Sequence, residues 1–174
     1  MIRRLAPADY RAMPWANGRG TTLELLRAEA AGGGILWRLS IAAVVEDGPF
    51  SVLPGVARNL TVIEGPGFTL AGDLTLRCDP LRPVAFPGAA RLRAEGVAGP
   101  CRDFNVMTAD RLPPARVAVL RDGRAEPPAG GFVALYALEP AMVAGAPLAR
   151  HHLAVARRAV AVAGGPVLAA GIAA

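Results

Sequence analysis

The side chains that perform most enzyme chemistry are scarce in this sequence. It has two serines, Ser40 and Ser51, two cysteines, Cys78 and Cys101, and two histidines, the adjacent pair His151-His152. A nucleophilic serine or cysteine needs a positioned base, usually histidine. Neighbours on a strand point to opposite faces, so at most one histidine of the pair could enter a site. We read the two as a solvated surface pair rather than as part of a triad. No CxxC, HxH or HxxxH spacing supplies metal ligands. Two cysteines make neither a disulfide framework nor a ligand set, and we expect free thiols in a reducing cytoplasm. The triple glycine at 32–34 is followed by neither a lysine nor a helix, so it reads as a loop and not as a phosphate cradle. Arginine is what the chain has in quantity: all 19 basic residues are arginine, against 14 acids, for a net charge of +5. The use of arginine without lysine fits a GC-rich genome better than a function. The only adjacent basic pairs are Arg3-Arg4 and Arg157-Arg158, whereas a nucleic-acid binder concentrates its charge. We therefore expect no nucleic-acid partner.

The elements that must position any site are short. Of 174 residues, 20 are glycine and 16 proline, too much punctuation for a helical bundle. At 53% hydrophobic and 19% charged, the chain can bury a sizeable core. No apolar run is long enough to cross a membrane. The start, MIRRLAPADY, lacks an apolar signal region, and a cytoplasmic location is expected. Residues 1 to 14 read as an edge strand followed by a proline-containing turn. Thr22 to Arg27 leave a glycine turn as a strand. In 35 to 45, Trp37, Leu39 and Ile41 fall on one face and Arg38, Ser40 and Ala42 on the other. EDGPFSVLPG is turn chemistry, RNLTVIEG a strand, FTLAGDLTLRCD a hairpin turning at Gly72-Asp73, and DFNVMTAD a further strand. RVAVLRDG, GGFVALYALEP and PVLAAGI read as strands. LARHHLAVARRAVAV stays open between helix, by propensity, and a strand pair, by spacing. About a dozen short segments between turns predict an all-β sandwich or closed barrel.

Three motifs are dense enough to compare with known families. WANGRGTTLEL supplies Trp15, Asn17, Gly18, Gly20, Thr22 and Glu24. WRLSIAAVVEDGPFSVLPGVARNL supplies Trp37, Arg38, Ser40, Ala42, the Asp47–Ser51 turn, Pro54, Gly55, Arg58 and Leu60. DFNVM supplies Asp103, Phe104, Asn105 and Met107. Together they resemble the HutD/Ves family of small bacterial cupin-like proteins, with Ala16 in place of the usual lysine and Arg19 in place of a glycine. The motifs run from residue 15 to 107, about half the chain, and the C-terminal half follows the family only in its strand rhythm. The resemblance implies a cupin-like double-stranded β-helix of two packed barrels or half-barrels. It implies one domain over 1–174 with an N-terminal lobe of about 1–110 and a C-terminal lobe of about 111–174, commonly as a homodimer. The apolar stretch PVLAAGIAA is the candidate interface strand. The resemblance also implies a protein encoded near histidine-utilisation genes, or in the Ves branch linked to stress, that binds a small acid, N-formylglutamate foremost, and tempers pathway flux.

The residues bear on that implication directly. Metal-binding cupins carry H-x-H-x(3,4)-E-x(6)-G. Counting back from Gly65, the glutamate position is Arg58, and the histidine positions are Ser51 and Leu53. A guanidinium, a hydroxyl and an apolar group do not ligate a metal, and a built-in cation attracts an anion. No metal and no cofactor is expected. Arg58 shares a strand face with Leu60 and Val62, so if they point inward so does Arg58, and it then needs a partner. That partner could be a ligand carboxylate or an internal acid, Glu24 or Asp103.

The candidate ligand-binding residues are therefore Asn17, Glu24, Arg38, Ser40, Arg58 and Asn105, with Trp15, Trp37 and Asp103 as pocket wall. Each has a plainer alternative. Arg38 and Ser40 could form a solvent-facing polar side, Asn17 and Asp47 could be turn residues, Asn105 a strand cap, and Trp15 and Trp37 core packing. Three functions fit: a metal-free cupin that binds a small organic acid as a regulator or sink; a metal-independent enzyme on a small acid, with Glu24 or Asp103 as base; and an interaction scaffold. The first is the reading adopted, with a small carboxylate as partner, no catalytic residues and no membrane partner.

Overall fold

Glycine and proline cut the chain into strands too short to bury a face alone, so they must pair and stack. The structure, a computed structural model, describes residues 1–174 other than Asn17 and Arg19. In chain order it has β1 (Ile2–Leu5), a 3-10 turn (Pro7–Asp9), β2 (Arg11–Pro14), β3 (Thr21–Glu29), β4 (Ile35–Val44), β5 (Gly48–Pro49) and β6 (Val56–Glu64). Next come β7 (Phe68–Gly72), β8 (Thr75–Cys78), β9 (Val84–Pro87), β10 (Leu92–Glu95) and β11 (Cys101–Ala109). The remainder is β12 (Arg116–Leu120), β13 (Gly123–Ala125), β14 (Phe132–Ala137), β15 (Ala141–Val143), β16 (Ala146–Leu148), β17 (Leu153–Ala156), β18 (Val160–Gly164) and β19 (Val167–Ile172). The described residues contain no α-helix, as expected of an all-β chain. No helix among them is long and apolar enough to cross a membrane.

The chain divides into two units, residues 11–111 and residues 1–10 with 112–174. The division falls at 111/112, but the first ten residues depart from the expected N-terminal lobe. β1 pairs antiparallel with β17, from Ile2↔Ala156 to Leu5↔Leu153, and is an edge strand of the C-terminal unit.

In the unit of residues 11–111, a six-stranded sheet in the order β2-β3-β4-β11-β6-β9 faces a four-stranded sheet in the order β5-β10-β7-β8. Between them lie Leu60, Val62 and Phe86 from the first sheet and Phe68, Leu70, Cys78, Leu92 and Ala94 from the second. Each buried Leu, Val or Phe among them contributes about 1.5–3 kcal/mol. The inward direction of Leu60 and Val62 carries Arg58 with it, as strand alternation requires. β6 is followed by Gly65, where φ is +96° and an added Cβ would lie 2.3 Å from the Pro100 carbonyl, so only glycine fits.

In the unit of residues 1–10 with 112–174, a five-stranded sheet in the order β1-β17-β14-β19-β12 accompanies a four-stranded one in the order β13-β18-β15-β16. The buried residues of their shared core are Ala, Val and Leu, with Ile2 and Leu120 packed against them. Three expectations change here. The apolar C-terminal stretch is not an interface strand: β19 is hydrogen-bonded on both edges, to β14 and β12, and all six of its residues are buried. The segment left open between helix and strand folds as β17 and β18, because burial of Ala154 and Ala156 in this core outweighs helix propensity. His151 and His152 form a turn and are half-buried. His151 has φ +65°, its Nδ1 lies 2.9 Å from the Tyr136 hydroxyl, and its carbonyl accepts from Tyr10 at 2.7 Å, so it is a turn anchor rather than one of a solvated pair.

Candidate functional site

Register places the site. β11 lies between β6 and β4, opposing Met107 to both Arg58 and Arg38, Asn105 to both Leu60 and Ser40, and Asp103 to both Val62 and Ala42. β3 extends the middle row by opposing Glu24 to Ser40. Directly opposed side chains sit within about 5 Å and diagonal ones within reach of long side chains. A patch of guanidiniums, carboxylates, a hydroxyl and an amide is thereby assembled across four neighbouring strands, β3, β4, β11 and β6. It lines a cavity of about 500 Å³ that also takes in Trp15, Phe50 and Leu53.

Arg58 is 7% exposed. Its Nη1 donates to the Ser51 carbonyl at 3.1 Å and its Nη2 to Asn105 Oδ1 at 3.1 Å. Its Nε is buried with no hydrogen-bond partner. The rings of Phe86 and Phe50 lie 5.1 and 5.7 Å from its guanidinium carbon, a cation–π setting. Burial pulls the Arg58 pKa down, Asp103 pushes it back up, and Arg38 lowers it further. Among the described residues no carboxylate lies within salt-bridge distance of Arg58. Glu24 is taken by Arg38, Nε to Oε2 at 2.8 Å. Asp103 is reached only through Asn105, whose Nδ2 donates to Asp103 Oδ1 at 2.7 Å. The amide thus stands between cation and acid, with its oxygen on Arg58 and its nitrogen on Asp103.

Asp103 is 1% exposed. Burial pushes its pKa up to about 7, against the hydrogen bond from Asn105, the charge of Arg58 and the backbone N–H groups of Ala42 and Asp103 itself. The nearby Cys78 thiol is pushed up to about 11, first by burial and then by Asp103, so it stays neutral. A buried cation with an unused donor, beside an acid poised to lose or keep its proton, has the chemistry to receive an anion.

The cavity brings together Arg38, Ser40, Arg58, Asp103, Asn105 and Trp15. Glu24 serves it indirectly, by fixing Arg38. Trp15 is itself fixed by its Nε1 donating to Thr22 at 2.9 Å and by Gly20, where a Cβ would lie 2.8 Å from its ring. Trp37 does not line the cavity: it alternates with Arg38 and faces away with Leu39 and Ile41. Asn17 lies outside the described residues. Asp47 accepts from the N–H groups of Gly96 and Val97, as a turn residue should. The aromatic pair Phe50 and Phe86 was missed by sequence reasoning. Phe50 had a signal, since it adjoins the Ser51 position of the cupin pattern. Phe86 had none, because its partner strand β9 follows β6 only after β7 and β8. The positions counted as replaced metal ligands, Ser51, Leu53 and Arg58, do line one cavity. Among the described residues no cluster of three His, Cys, Asp or Glu could hold a metal.

Comparison with known proteins agrees with the resemblance. The family model described as HutD matches residues 7–166. An uncharacterized 21.2 kDa protein in the hutC 3′ region of Pseudomonas putida is 37% identical over 123 residues, which is 67% of this chain. The match spans 63% of that relative's length. The structure of HutD from Pseudomonas fluorescens SBW25 (formate condition) superposes with a TM-score of 0.88 at 30% identity, covering 99% of this chain and 98% of that one. A cupin 2 conserved barrel domain protein from Leptotrichia buccalis shares the fold, with a TM-score of 0.56 at 11% identity over 88% of this chain and 89% of that one.

Proposed function

The chain belongs to the HutD family of cupin-like proteins, and we propose that it binds a small organic acid, with the acid's carboxylate on Arg58. The family is linked to histidine utilisation, and N-formylglutamate of that pathway is the first candidate ligand. Its binding would let the protein sense or hold the intermediate and so temper flux. The observation that carries this reading is the buried Arg58 guanidinium, with Nε unpartnered and no carboxylate among the described residues in salt-bridge contact. An isolated buried charge is costly. A ligand carboxylate would offset that cost through charge-assisted bonds, with Ser40 and Asn105 alongside and Arg38 held ready by Glu24.

Titration calorimetry with N-formylglutamate and related carboxylates tests it. Losing one partner of such a pair costs about 2–5 kcal/mol, roughly a 30- to 5000-fold loss of affinity. Arg58→Ala is expected to abolish measurable binding of a micromolar ligand. Arg58→Lys should restore only part, because an ammonium lacks the planar fork. Unchanged affinity in a folded Arg58→Ala protein would remove Arg58 from the site.

A second reading, a metal-independent enzyme on a small acid, rests on Asp103 alone. A carboxyl in the cavity with a pKa of about 7 suits a general base, whereas Glu24 is occupied by Arg38. Product formation from the bound acid that Asp103→Asn abolishes without weakening binding would establish this reading. Recovery of the acid unchanged after long incubation would dismiss it.

A further inference from the structure

A second cavity of about 200 Å³ adjoins the first, and the two share Trp15, Ala43, Val44, Pro49 and Phe50. They are therefore two lengths of one cleft. Its polar end is set by Ser40, Arg58 and Asn105, and its far end reaches Val45 and Asp47. Ser40 and Val44 lie on β4 and Val45 follows it, five residues on from Ser40. At about 3.3 Å per residue the backbone advances roughly 17 Å over that interval. A compact acid held at Arg58 occupies only the head of such a cleft. Beyond the head the cleft is lined by Trp15, Phe50, Pro49 and the aliphatic Ala43, Val44 and Val45, with Glu46 and Asp47 as acidic residues at the far end, and Val45 is 50% exposed, apolar surface that a ligand chain would cover.

The charge at the far end selects against a second acid group there. Asp47 receives the N–H groups of Val97 and Gly96, which hold its carboxyl below the usual range and keep it ionised. An anionic tail would meet that carboxylate, whereas an apolar tail would not.

We propose that the cleft running from Arg58 past Trp15 and Phe50 to Val45 is an extended binding site for monocarboxylates that carry an apolar chain, the chain occupying the second cavity. This rests on Arg58 as the acid site and adds a subsite to it.

Titration calorimetry with butyrate, hexanoate, octanoate and octanedioate tests the subsite separately from the acid site. Each methylene added within the cleft is expected to tighten binding roughly three- to fourfold. Octanoate should bind more tightly than octanedioate of equal length. Val45→Asp, at a half-exposed position that does not threaten the core, should weaken octanoate by about tenfold or more, because its chain loses apolar contact and desolvates the new carboxylate, and leave butyrate, whose chain does not reach position 45, unchanged. Butyrate binding that depends on Arg58, with octanoate no tighter, would overturn the subsite and leave the acid site standing. Chain-length dependence that survives Arg58→Ala would support the subsite and remove Arg58 as its head. Failure of every acid to bind would overturn both.

Discussion

In residues 1–10 with 112–174, the space between a five-stranded and a four-stranded sheet is closed by Ala, Val and Leu. In residues 11–111, the corresponding space between a six-stranded and a four-stranded sheet holds Arg58, Asp103, Asn105, Ser40 and Glu24 as buried side chains. Apart from the Tyr136 hydroxyl, which meets His151 Nδ1, no polar or charged side chain is buried among the described residues of the first unit. The packing plan is shared and the filling differs. An apolar core is the cheaper solution, since buried charges need partners and lose hydration. The buried cation and acid that the proposed function draws on therefore lie in residues 11–111, at a cost in stability that the apolar core of the other unit does not carry.

That contrast can be broken by exchanging the character of single residues. The largest effect is expected at Arg58. Arg58→Met keeps much of the volume and removes the buried charge. It should end acid binding, and at pH 6, where Asp103 is protonated, leave stability unchanged or raise it by about 1–4 kcal/mol, read by denaturant unfolding. A loss of more than about 3 kcal/mol would make Arg58 a structural residue. The opposite pattern is expected of Leu135→Ala in the first unit, where Leu135 is fully buried. It should cost about 2–5 kcal/mol of stability and leave acid affinity unchanged.

The proton on Asp103 sharpens the comparison further. Below about pH 7 Asp103 is neutral and Arg58 is free for the ligand; above it, the Asp103 carboxylate competes through Asn105. Acid affinity should therefore fall as pH rises through about 7, by up to about tenfold per pH unit, and Asp103→Asn should flatten the profile. The same shift has a second sign to check. The folded pKa of about 7 lies above the unfolded 3.8, so the native state binds more protons in that interval and stability should fall as pH rises across it. A stability that rises from pH 4 to 7 and that Asp103→Asn leaves unaltered would contradict this. The smallest effect is a null one: elemental analysis should find well under one equivalent of Zn, Ni, Fe or Mn, because Ser51, Leu53 and Arg58 stand where metal-binding cupins place ligands.

Much of the site was legible in the sequence because it lies on strands. Period-2 alternation puts Arg38 and Ser40 on one face and Trp37 on the other, and carries Arg58 inward with Leu60 and Val62. The same alternation argued against Trp37 as a pocket wall, but its size and its place in a motif outweighed the period. Contacts between distant strands were not legible. Arg58 bonds a backbone carbonyl at Ser51, and neither that nor the approach of Phe86 leaves a trace in residue types. The fold class was plain from turns and alternation. The assignment of β1 to the C-terminal unit was not, because its pairing with β17 spans nearly the whole chain. At 148–162 propensity and spacing pointed different ways and left helix and strand pair open; the structure follows the spacing, because alanines that favour a helix in isolation are strand residues once they are buried in this core.

The most direct test is the Arg58 side chain observed while acid is added. Its Nε–H is the buried donor left without a partner, and its resonance in a proton–nitrogen correlation spectrum can be assigned by its absence in Arg58→Lys. Titration with N-formylglutamate or a related carboxylate is expected to shift that resonance saturably, with the midpoint given by calorimetry, while the Arg150 Nε–H, which donates to the Leu138 carbonyl in the other unit, stays in place. Calorimetric binding of the acid with the Arg58 resonance unmoved would contradict the account, since the ligand would then sit elsewhere.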